Sequence, residues 1–382
     1  MRHSLQTSAI GVFTAATILA SALPAHAEEA ATEEHAQDRI DVAFVLDTTG
    51  SMASLIDGAK RKIWSIANTI VDIHPGAEIR MALIGYRDKE DAYVLKTFDM
   101  STDIQGLYGN LVAFEARGGG DSPESVNEAL DESIRNLDWS TDNTVERIVF
   151  LVGDAPPHMD YDNAPQYPEI IDDANKKNIL INAVQAGSDG ETRKIWQDIA
   201  RRGQGKYIQI PQDGGRIVII ETPFDGDIII LQQRLDKTVI PYGTTREQDA
   251  VRQKMSTKSA ASEAVQVENS KFYASRSYTK EVITGGGDLI ADLRNGLTSA
   301  DDVVSEKLPQ DIQKLGPEEQ KAYIEEKLTA RAELEETMKG LIEARDRYVA
   351  EKSKTSDDTD GFDKAVRETL RKQLGPDGGS SE

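Results

Sequence analysis

The sequence predicts an α/β protein with a doubly wound, mostly parallel sheet, followed by a mainly α-helical region. Short apolar runs alternate with segments of helical periodicity over the first half of the chain, which favours a parallel sheet with helices on both faces. Right-handed crossovers between such strands produce a doubly wound arrangement. The strand signals end near residue 212, so residues 39–212 are predicted to form the sheet domain and residues 213–382 the helical region.

The first predicted strand, residues 41–47, is a continuous apolar run that ends in Asp47 and a Thr-Thr-Gly turn, as is typical of a strand buried on both faces. A helix is predicted at 122–137, because Ser122 is a suitable N-cap and Pro123 a suitable first helical residue. The other predicted elements are helices at 51–73, 170–177 and 192–201 and strands at 78–86, 93–98, 147–152, 179–185 and 206–210.

A long, charged, amphipathic helix is predicted at residues 318–352, and a short one near 366–370, before a Gly/Ser tail that is expected to be disordered. Apolar residues of the long helix follow coiled-coil spacing in part. Arg331 and Arg345 would lie in the same seam, however, so packing against the rest of the helical region is favoured over a coiled coil.

The first 27 residues have the order of a secretory signal peptide: a positive start, an apolar stretch at 9–22 and the small-x-small site at 25–27. The apolar stretch is too short and too interrupted by Ser and Thr for a membrane span. We therefore expect cleavage after Ala27, an acidic linker at 28–38 and a periplasmic or secreted protein. No later segment is apolar enough to span a bilayer.

The composition narrows the classes of partner. With 66 acidic and 44 basic residues the formal net charge is −22 at pH 7, which disfavours nucleic acids and anionic membranes and is compatible with divalent cations. The chain has no cysteine, so an exported protein of this kind must be held together by its core. Thiol nucleophiles and thiolate metal sites are excluded.

Three polar segments are expected to meet at one edge of the sheet: residues 47–52, 118–124 and 152–158. Loops at the carboxyl ends of the strands of an open α/β sheet converge in one crevice. An acid and two hydroxyls from the first segment can therefore meet one acid from each of the others. Such oxygens suit Mg²⁺, the favoured ion, or Ca²⁺ or Mn²⁺, over zinc or copper. The predicted metal ligands are Asp47, Thr49, Ser51, Asp121 and Asp154.

The spacing of Asp47, Thr49 and Ser51 has a physical reason, because alternate residues in a chain leaving a strand can direct their side chains to one side. Gly50 allows a sharp bend. Helix N-termini near Ser51 and Ser122 would favour an anionic group on the metal. The alternative is that Asp47 and Thr49 only cap the following helix.

Four more polar residues are candidates for the rim of this site: Arg87, Asp88, Asp91 and His158. The first three lie in a predicted hairpin turn and the fourth follows the third polar segment. One interpretation is that they contact a partner. The other is that they are solvated turn charges, with His158 and Asp160 an exposed loop pair.

The Asp47-x-Thr49-x-Ser51 pattern resembles the metal-ion-dependent adhesion site (MIDAS) of von Willebrand factor A (VWA) domains, with Thr49 where Ser is more usual, and Asp154 matches the later MIDAS aspartate. Gly-Tyr-Arg-Asp at 85–88 with Asp91, Gly-Gly-Gly-Asp-x-Pro-Glu at 118–124 and Asp-Ala-Pro-Pro-His at 154–158 are similar to a bacterial VWA subgroup also seen beside atypical α-kinases. The resemblance covers residues 39–212. The helical region resembles the tail of bacterial VWA proteins, which implies no activity.

This resemblance implies that Thr49, Ser51 and Asp121 hold the ion, and that Asp47 and Asp154 act directly or through water. A carboxylate of a protein partner would then take the open position. Asp121 stands where many VWA domains have Thr, and its charge should strengthen cation binding and weaken the pull on an incoming carboxylate. The implied function is metal-dependent protein binding, of adhesion or assembly type, at the cell envelope.

Two other functions remain open from the sequence. A bound divalent ion can activate water, so a metal-assisted hydrolase is possible in principle. Against a hydrolase, His158 is the only obvious general base, and the chain has no GxSxG, HExxH or GxxxxGK[ST] motif. Against an aspartate-nucleophile phosphotransferase, Thr49 stands where such enzymes need a second acid. We therefore expect no enzymatic activity. The second alternative is a structural scaffold that acts through its helical region.

Overall fold

The structure is a computed structural model that describes residues 39–89, 91–119, 123–161, 165–213, 220–276, 284–353 and 362–375. The predicted signal peptide at 1–27, the predicted linker at 28–38, the predicted ligand Asp121 and the predicted N-cap Ser122 lie outside the described residues. Residues 37–382 form one compact unit.

Six strands form one sheet in the order β3-β2-β1-β4-β5-β6, in which β3 is antiparallel to β2 and all other neighbours are parallel. The strands are β1 (Arg39–Asp47), β2 (Glu78–Tyr86), β3 (Leu95–Ser101), β4 (Glu146–Gly153), β5 (Ile179–Ala186) and β6 (Gln204–Ile210). The chain winds outward in opposite directions from β1 and from β4, so the crevice of the doubly wound sheet lies between the carboxyl ends of these two strands. The predicted fold class is confirmed.

Five helices lie between the strands in sequence and pack on the two faces of the sheet. They are α1 (Ala53–Ile73), α2 (Ile104–Val112), α3 (Val126–Asp131), α4 (Tyr167–Lys176) and α5 (Gly190–Arg202). A 3-10 turn at Gly50–Met52 precedes α1, and a π-helical segment at Glu132–Asn136 continues α3. Burial of β1 on both faces, from Ile40 to Asp47, explains the continuous apolar run in its sequence.

The structure differs from the sequence prediction in two helices. The short helix α2 was not predicted, although Asp103 caps it by accepting a hydrogen bond from the Gly106 amide. The helix predicted at 122–137 begins later, at Val126, and ends in the π-helical segment. The reason is a bridge to the third polar segment: the Glu124 amide donates to the Pro156 carbonyl at 3.0 Å and the His158 amide to the Glu124 carbonyl at 3.1 Å. These bonds hold Glu124 in an extended conformation.

The described residues from 220 onward are mainly helical, as predicted. Its helices are α6 (Asp225–Asp236), α7 (Thr245–Ala260), α8 (Glu263–Ser275), α9 (Leu289–Arg294), α10 (Gln310–Gln313), α11 (Pro317–Ser353) and α12 (Phe362–Leu374). Arg331 of α11 is buried against Asp288, and Arg345 pairs with Asp225 and Glu268. The long helix thus packs on its neighbours, because these arginines find acidic partners there.

Helix α12 completes the core on the α1 face of the sheet. Val366, Leu370 and Leu374 are buried in the same apolar cluster as the inward side of α1. The Nε2 atom of His74, at the end of α1, lies 2.6 Å from the Leu374 carbonyl oxygen. The sheet domain therefore depends on a helix from the far end of the chain. None of the helices in the described ranges is both long and apolar enough to cross a membrane.

Candidate metal centre

Asp47, the last residue of β1, is the centre of a cluster of oxygen atoms. Its side chain is fully buried, and its Oδ1 accepts hydrogen bonds from the Thr49 amide at 2.8 Å and from the Thr49 hydroxyl at 2.6 Å. The Thr49 and Ser51 hydroxyls are 3.3 Å apart. The Oδ2 atom is buried and receives no hydrogen bond from the described residues. The structure therefore brings these three predicted ligands together.

The loop before α3 lies directly against this turn. The Gly50 amide donates to the Gly118 carbonyl at 3.0 Å, and the Arg117 amide to the Thr48 carbonyl at 3.1 Å. Asp91 accepts a hydrogen bond from the Gly119 amide at 3.1 Å. The chain is thus held beside the Asp47 turn up to Gly119, two positions before the predicted ligand Asp121, which lies outside the described residues.

Asp154 follows β4, the strand next to β1, and is near enough for its charge to act on the Asp47 carboxyl. Gly153 permits this close approach, because a Cβ atom there would lie 2.3 Å from the Tyr86 hydroxyl and 3.2 Å from the Asp47 Cβ. The Asp154 carbonyl accepts from the Thr192 hydroxyl at 3.3 Å. Two predicted ligands that are distant in sequence therefore meet at the crevice between β1 and β4.

The electrostatics of the site favour a cation. Burial raises the pKa of the Asp47 carboxyl to about 7, the Thr49 hydroxyl opposes this rise, and the nearby charge of Asp154 adds to it. Two ionised carboxylates have no hydrogen-bond donor between them, so they repel unless they share a proton or a cation lies between them. A divalent ion would stabilise both charged forms at neutral pH.

Glu124 is a further buried acidic group close to the Asp47 turn, at a position where the sequence predicts only the start of a helix. It is 3% exposed, and its Oε2 is buried and receives no hydrogen bond from the described residues. Burial, followed by the charges of Asp47 and Asp88, raises its pKa to about 8. The signal that was missed is the acid directly after Pro123, since an acid in the first turn of a predicted helix has an ordinary explanation.

Arg87, one of the predicted rim residues, is a buried structural residue. It is 5% exposed, its Nε donates to the Thr48 carbonyl at 3.1 Å and its Nη2 to the Glu115 carbonyl at 2.6 Å. Its guanidinium also lies over the Tyr93 ring, 4.3 Å from the centroid. Arg87 therefore ties the end of β2 to the two loops beside the site, and the interpretation as a solvated turn charge is wrong.

Asp88 and His158 are also buried, at 6% and 7% exposure. Asp88 accepts hydrogen bonds from the Ser125 hydroxyl at 3.1 Å and the Tyr161 hydroxyl at 2.7 Å. The His158 ring stacks on Tyr161, with its Nδ1 2.8 Å from Asp160 and its Nε2 3.7 Å from Asp88. His158 is thus part of a packed polar group beneath the rim and not half of an exposed loop pair.

The described donor atoms fit a hard divalent cation. All are oxygens, from the carboxylates of Asp47 and Asp154 and the hydroxyls of Thr49 and Ser51, and two buried carboxylate oxygens nearby lack a donor. Within the described ranges no three His, Cys, Asp or Glu side chains are grouped as a metal site requires. The predicted ligand Asp121 lies outside these ranges.

Comparisons with known proteins give partial matches. The chain is 30% identical to the α-protein kinase vwkA of Dictyostelium discoideum over 124 residues, which are 32% of this chain and 19% of the kinase. It is 32% identical to the putative ariadne-like RING finger protein R811 of Acanthamoeba polyphaga mimivirus over 119 residues, which are 31% of this chain and 11% of that protein. The chain therefore matches less than a fifth of the length of either relative.

Two solved structures are similar at a lower level. The SpRpn10 VWA domain has 12% sequence identity and a TM-score of 0.35, covering 46% of this chain and 89% of its own. Proximal thread matrix protein 1 from the mussel byssus has 15% identity and a TM-score of 0.34, covering 46% and 43%. The family model of the von Willebrand factor A domain matches residues 41–222. This part of the chain is a VWA domain, a type of domain that generally mediates protein–protein interactions.

Proposed function

We propose that this VWA domain binds a divalent cation at the carboxyl edge of its sheet and uses the ion to bind an acidic group of a protein partner. The observation that carries the proposal is the buried Asp47 carboxylate, which has one oxygen without a donor and a second carboxyl, that of Asp154, beside it. Burying the charge of Asp47 beside a second, half-buried carboxylate is costly unless a cation compensates it. A metal ion at this point removes that cost.

The ligands proposed are those predicted from the sequence, Asp47, Thr49, Ser51, Asp121 and Asp154. Glu124 is proposed as a nearby anionic group and not as a ligand: its buried carboxyl is influenced by the charges of Asp47 and Asp154, but the three described carboxyls are not grouped as a metal site requires. An all-oxygen set favours Mg²⁺, with Ca²⁺ or Mn²⁺ as alternatives. When bound, the ion would supply an open coordination position for a carboxylate of the partner.

Binding is favoured over catalysis by the position of His158, the one base that the sequence suggested for a hydrolase. One nitrogen of its ring faces Asp160 and the other faces Asp88. Neither is directed at the pair formed by Asp47 and Asp154. A general base must reach the proton that it abstracts, directly or through one water, so we propose a binding domain without hydrolytic activity. Turnover of model phosphate, ester or peptide substrates that disappears in Asp154→Ala would contradict this.

We also propose that the protein acts in the periplasm or outside the cell. The support is the charge, apolar and small-residue pattern of residues 1–27. Cell fractionation with N-terminal sequencing tests it: export with a new N-terminus at Glu28 is expected. A full-length protein found in the cytoplasm would contradict the proposal.

Calorimetric titration of the metal-stripped protein with Mg²⁺, Ca²⁺ and Mn²⁺ tests the metal site. We expect saturable binding near one ion per chain, lost in Asp47→Asn, which removes the charge and keeps the shape. Asp57→Asn is the matched control, because Asp57 lies on the same side of the sheet in α1 with a 62% exposed side chain. Wild-type protein that binds none of the three ions would refute the site.

Partner binding is tested with the full chain, because α12 is part of the sheet domain core. Envelope proteins captured in Mg²⁺ should be released by EDTA and should not be captured by Asp47→Asn. A protein captured equally by both forms, with and without EDTA, would support the scaffold function of the helical region instead.

A further inference from the structure

We propose that Gln212 is a positioning residue of the metal site, which holds the Asp154 carboxylate in place for the ion. The inference rests on the proposed metal-binding function. Gln212 lies two positions after the end of β6 and is exposed at the surface. Its side-chain Nε2 donates to Oδ2 of Asp154 over 2.6 Å.

The side chain of Gln212 packs against Gly187, the residue directly after β5, in the space that the absence of a side chain leaves there. Gly187 has a φ of +82°, and a Cβ atom there would lie 2.2 Å from Oε1 of Gln212. The Gly187 amide also donates to the Ile210 carbonyl at 2.9 Å, which fixes this space relative to the end of β6. The position of the Gln212 amide is therefore determined by glycine at 187, and a larger residue would displace it.

The amide is chemically suited to this role. A neutral donor restrains one oxygen of Asp154 without cancelling its negative charge, so the other oxygen keeps its attraction for a cation. A lysine at the same position would place a positive charge beside the ion and compete with it. Residues that form hydrogen bonds to metal ligands without contacting the metal typically contribute a factor of about 10–100 to metal affinity. We expect the low end of this range, because Gln212 is exposed.

The bond between Gln212 and Asp154 also links the proposed metal site to the start of the helical region. Gln212 lies on the segment that leads from the last strand of the VWA domain towards α6, the first helix of the helical region. The bond to Asp154 therefore attaches the beginning of that connection to a proposed metal ligand.

The first test is the Mn²⁺ affinity of Gln212→Met, which keeps the length of the side chain and removes its donor. Calorimetry should show about tenfold weaker binding than wild type, with the thermal midpoint of the metal-free protein unchanged. Gln253→Met is the control for the same substitution at an exposed glutamine of α7, and it should leave the affinity unchanged. Equal affinities of Gln212→Met and wild type would overturn the proposal, as would a weakening matched by Gln253→Met.

A double-mutant cycle gives a readout that a purely structural effect would not produce. Gly187→Ala should displace the Gln212 amide and weaken Mn²⁺ binding, and adding Gln212→Met should weaken it no further, because both changes remove the same bond. Gly190→Ala, where an added Cβ meets no atom within 4 Å, is the control for a glycine substitution. Additive losses from Gly187→Ala and Gln212→Met would overturn the proposal.

The bond itself can be tested without metal. The side-chain amide resonances of Gln212 in a nitrogen–proton NMR spectrum should shift in Asp154→Asn and stay in place in Asp57→Asn. If they stay in place in both, the bond is absent in solution and the proposal fails on its own. If the bond is present and the wild-type protein binds no ion, the failure lies with the proposed function, and the positioning role falls with it.

Discussion

Asp47 at the end of β1 and Asp154 after β4 lie at the same edge of the sheet on neighbouring strands, where the charge of Asp154 acts on the Asp47 carboxyl. The register that pairs Leu46 with Val152 places them there, since Asp47 comes one residue after Leu46 and Asp154 two residues after Val152. We therefore expect the stability of the metal-free protein to depend on pH and on divalent cations.

The metal-free protein should lose stability between about pH 5 and pH 8. Burial raises the pKa of Asp47 to about 7 and that of Glu124 to about 8 in the folded state, against 3.8 and 4.5 for the free groups. Over this interval the folded state holds more protons than the unfolded state, so the free energy of unfolding falls as pH rises. Thermal unfolding in EDTA across this range measures the effect.

Saturating Mg²⁺ should reduce this loss, because the ion replaces the protons at the carboxylates. Asp47→Asn should flatten the pH dependence in EDTA, and Asp57→Asn should leave it unchanged. A midpoint in EDTA that rises steadily from pH 5 to pH 8 would contradict the buried-carboxylate account.

Glu124→Gln should weaken metal binding by about tenfold, because it removes an anionic group next to the ion while keeping the shape of the side chain. It should also stabilise the metal-free protein at pH 8, where the wild-type carboxyl begins to ionise in a buried position. Calorimetry and thermal unfolding measure the two effects. Glu128→Gln is the control for removing a nearby acid in α3: Glu128 pairs with Lys89, so its replacement should leave metal binding unchanged. Unchanged metal affinity would exclude Glu124 from the site.

Arg331→Ala should cost about 3–5 kcal/mol of unfolding free energy, because it leaves the carboxylate of Asp288 buried without its partner. Both side chains of this pair are at most 1% exposed. Arg252→Ala removes an exposed pair with Asp249 and should cost less than about 1 kcal/mol. Urea unfolding of both variants measures the difference. If the two variants lose similar amounts of unfolding free energy, the buried pair of Arg331 and Asp288 does not contribute significantly to the stability of the helical region.

Leu370→Ala in α12 should destabilise the VWA domain by about 2–5 kcal/mol, because Leu370 is fully buried against the α1 side of the sheet. Glu368→Ala, on the exposed side of the same helix, should have little effect. The decisive measurement is hydrogen exchange of the amides of β1 and β4. Protection in these strands that is unaffected by Leu370→Ala would show that α12 only rests on the domain.

The sequence alone predicted the strands and most of the helices, because local periodicity records which face of each element is buried, and it also suggested four of the proposed site residues that the structure describes. The alternation of Asp47, Thr49 and Ser51 and the acid after β4 predict a shared site, since parallel strands end at one edge of a sheet.

Only the tertiary structure decided which other residues join that site. Glu124 is held in an extended conformation by Pro156 and His158, Arg87 is buried between two loops, and Gln212 reaches Asp154 across the space at Gly187. Each of these contacts joins segments that are distant in sequence, and so does the packing of α12 on α1. No local pattern encodes such contacts, because they depend on the register of the strands and on how much room a neighbouring residue leaves.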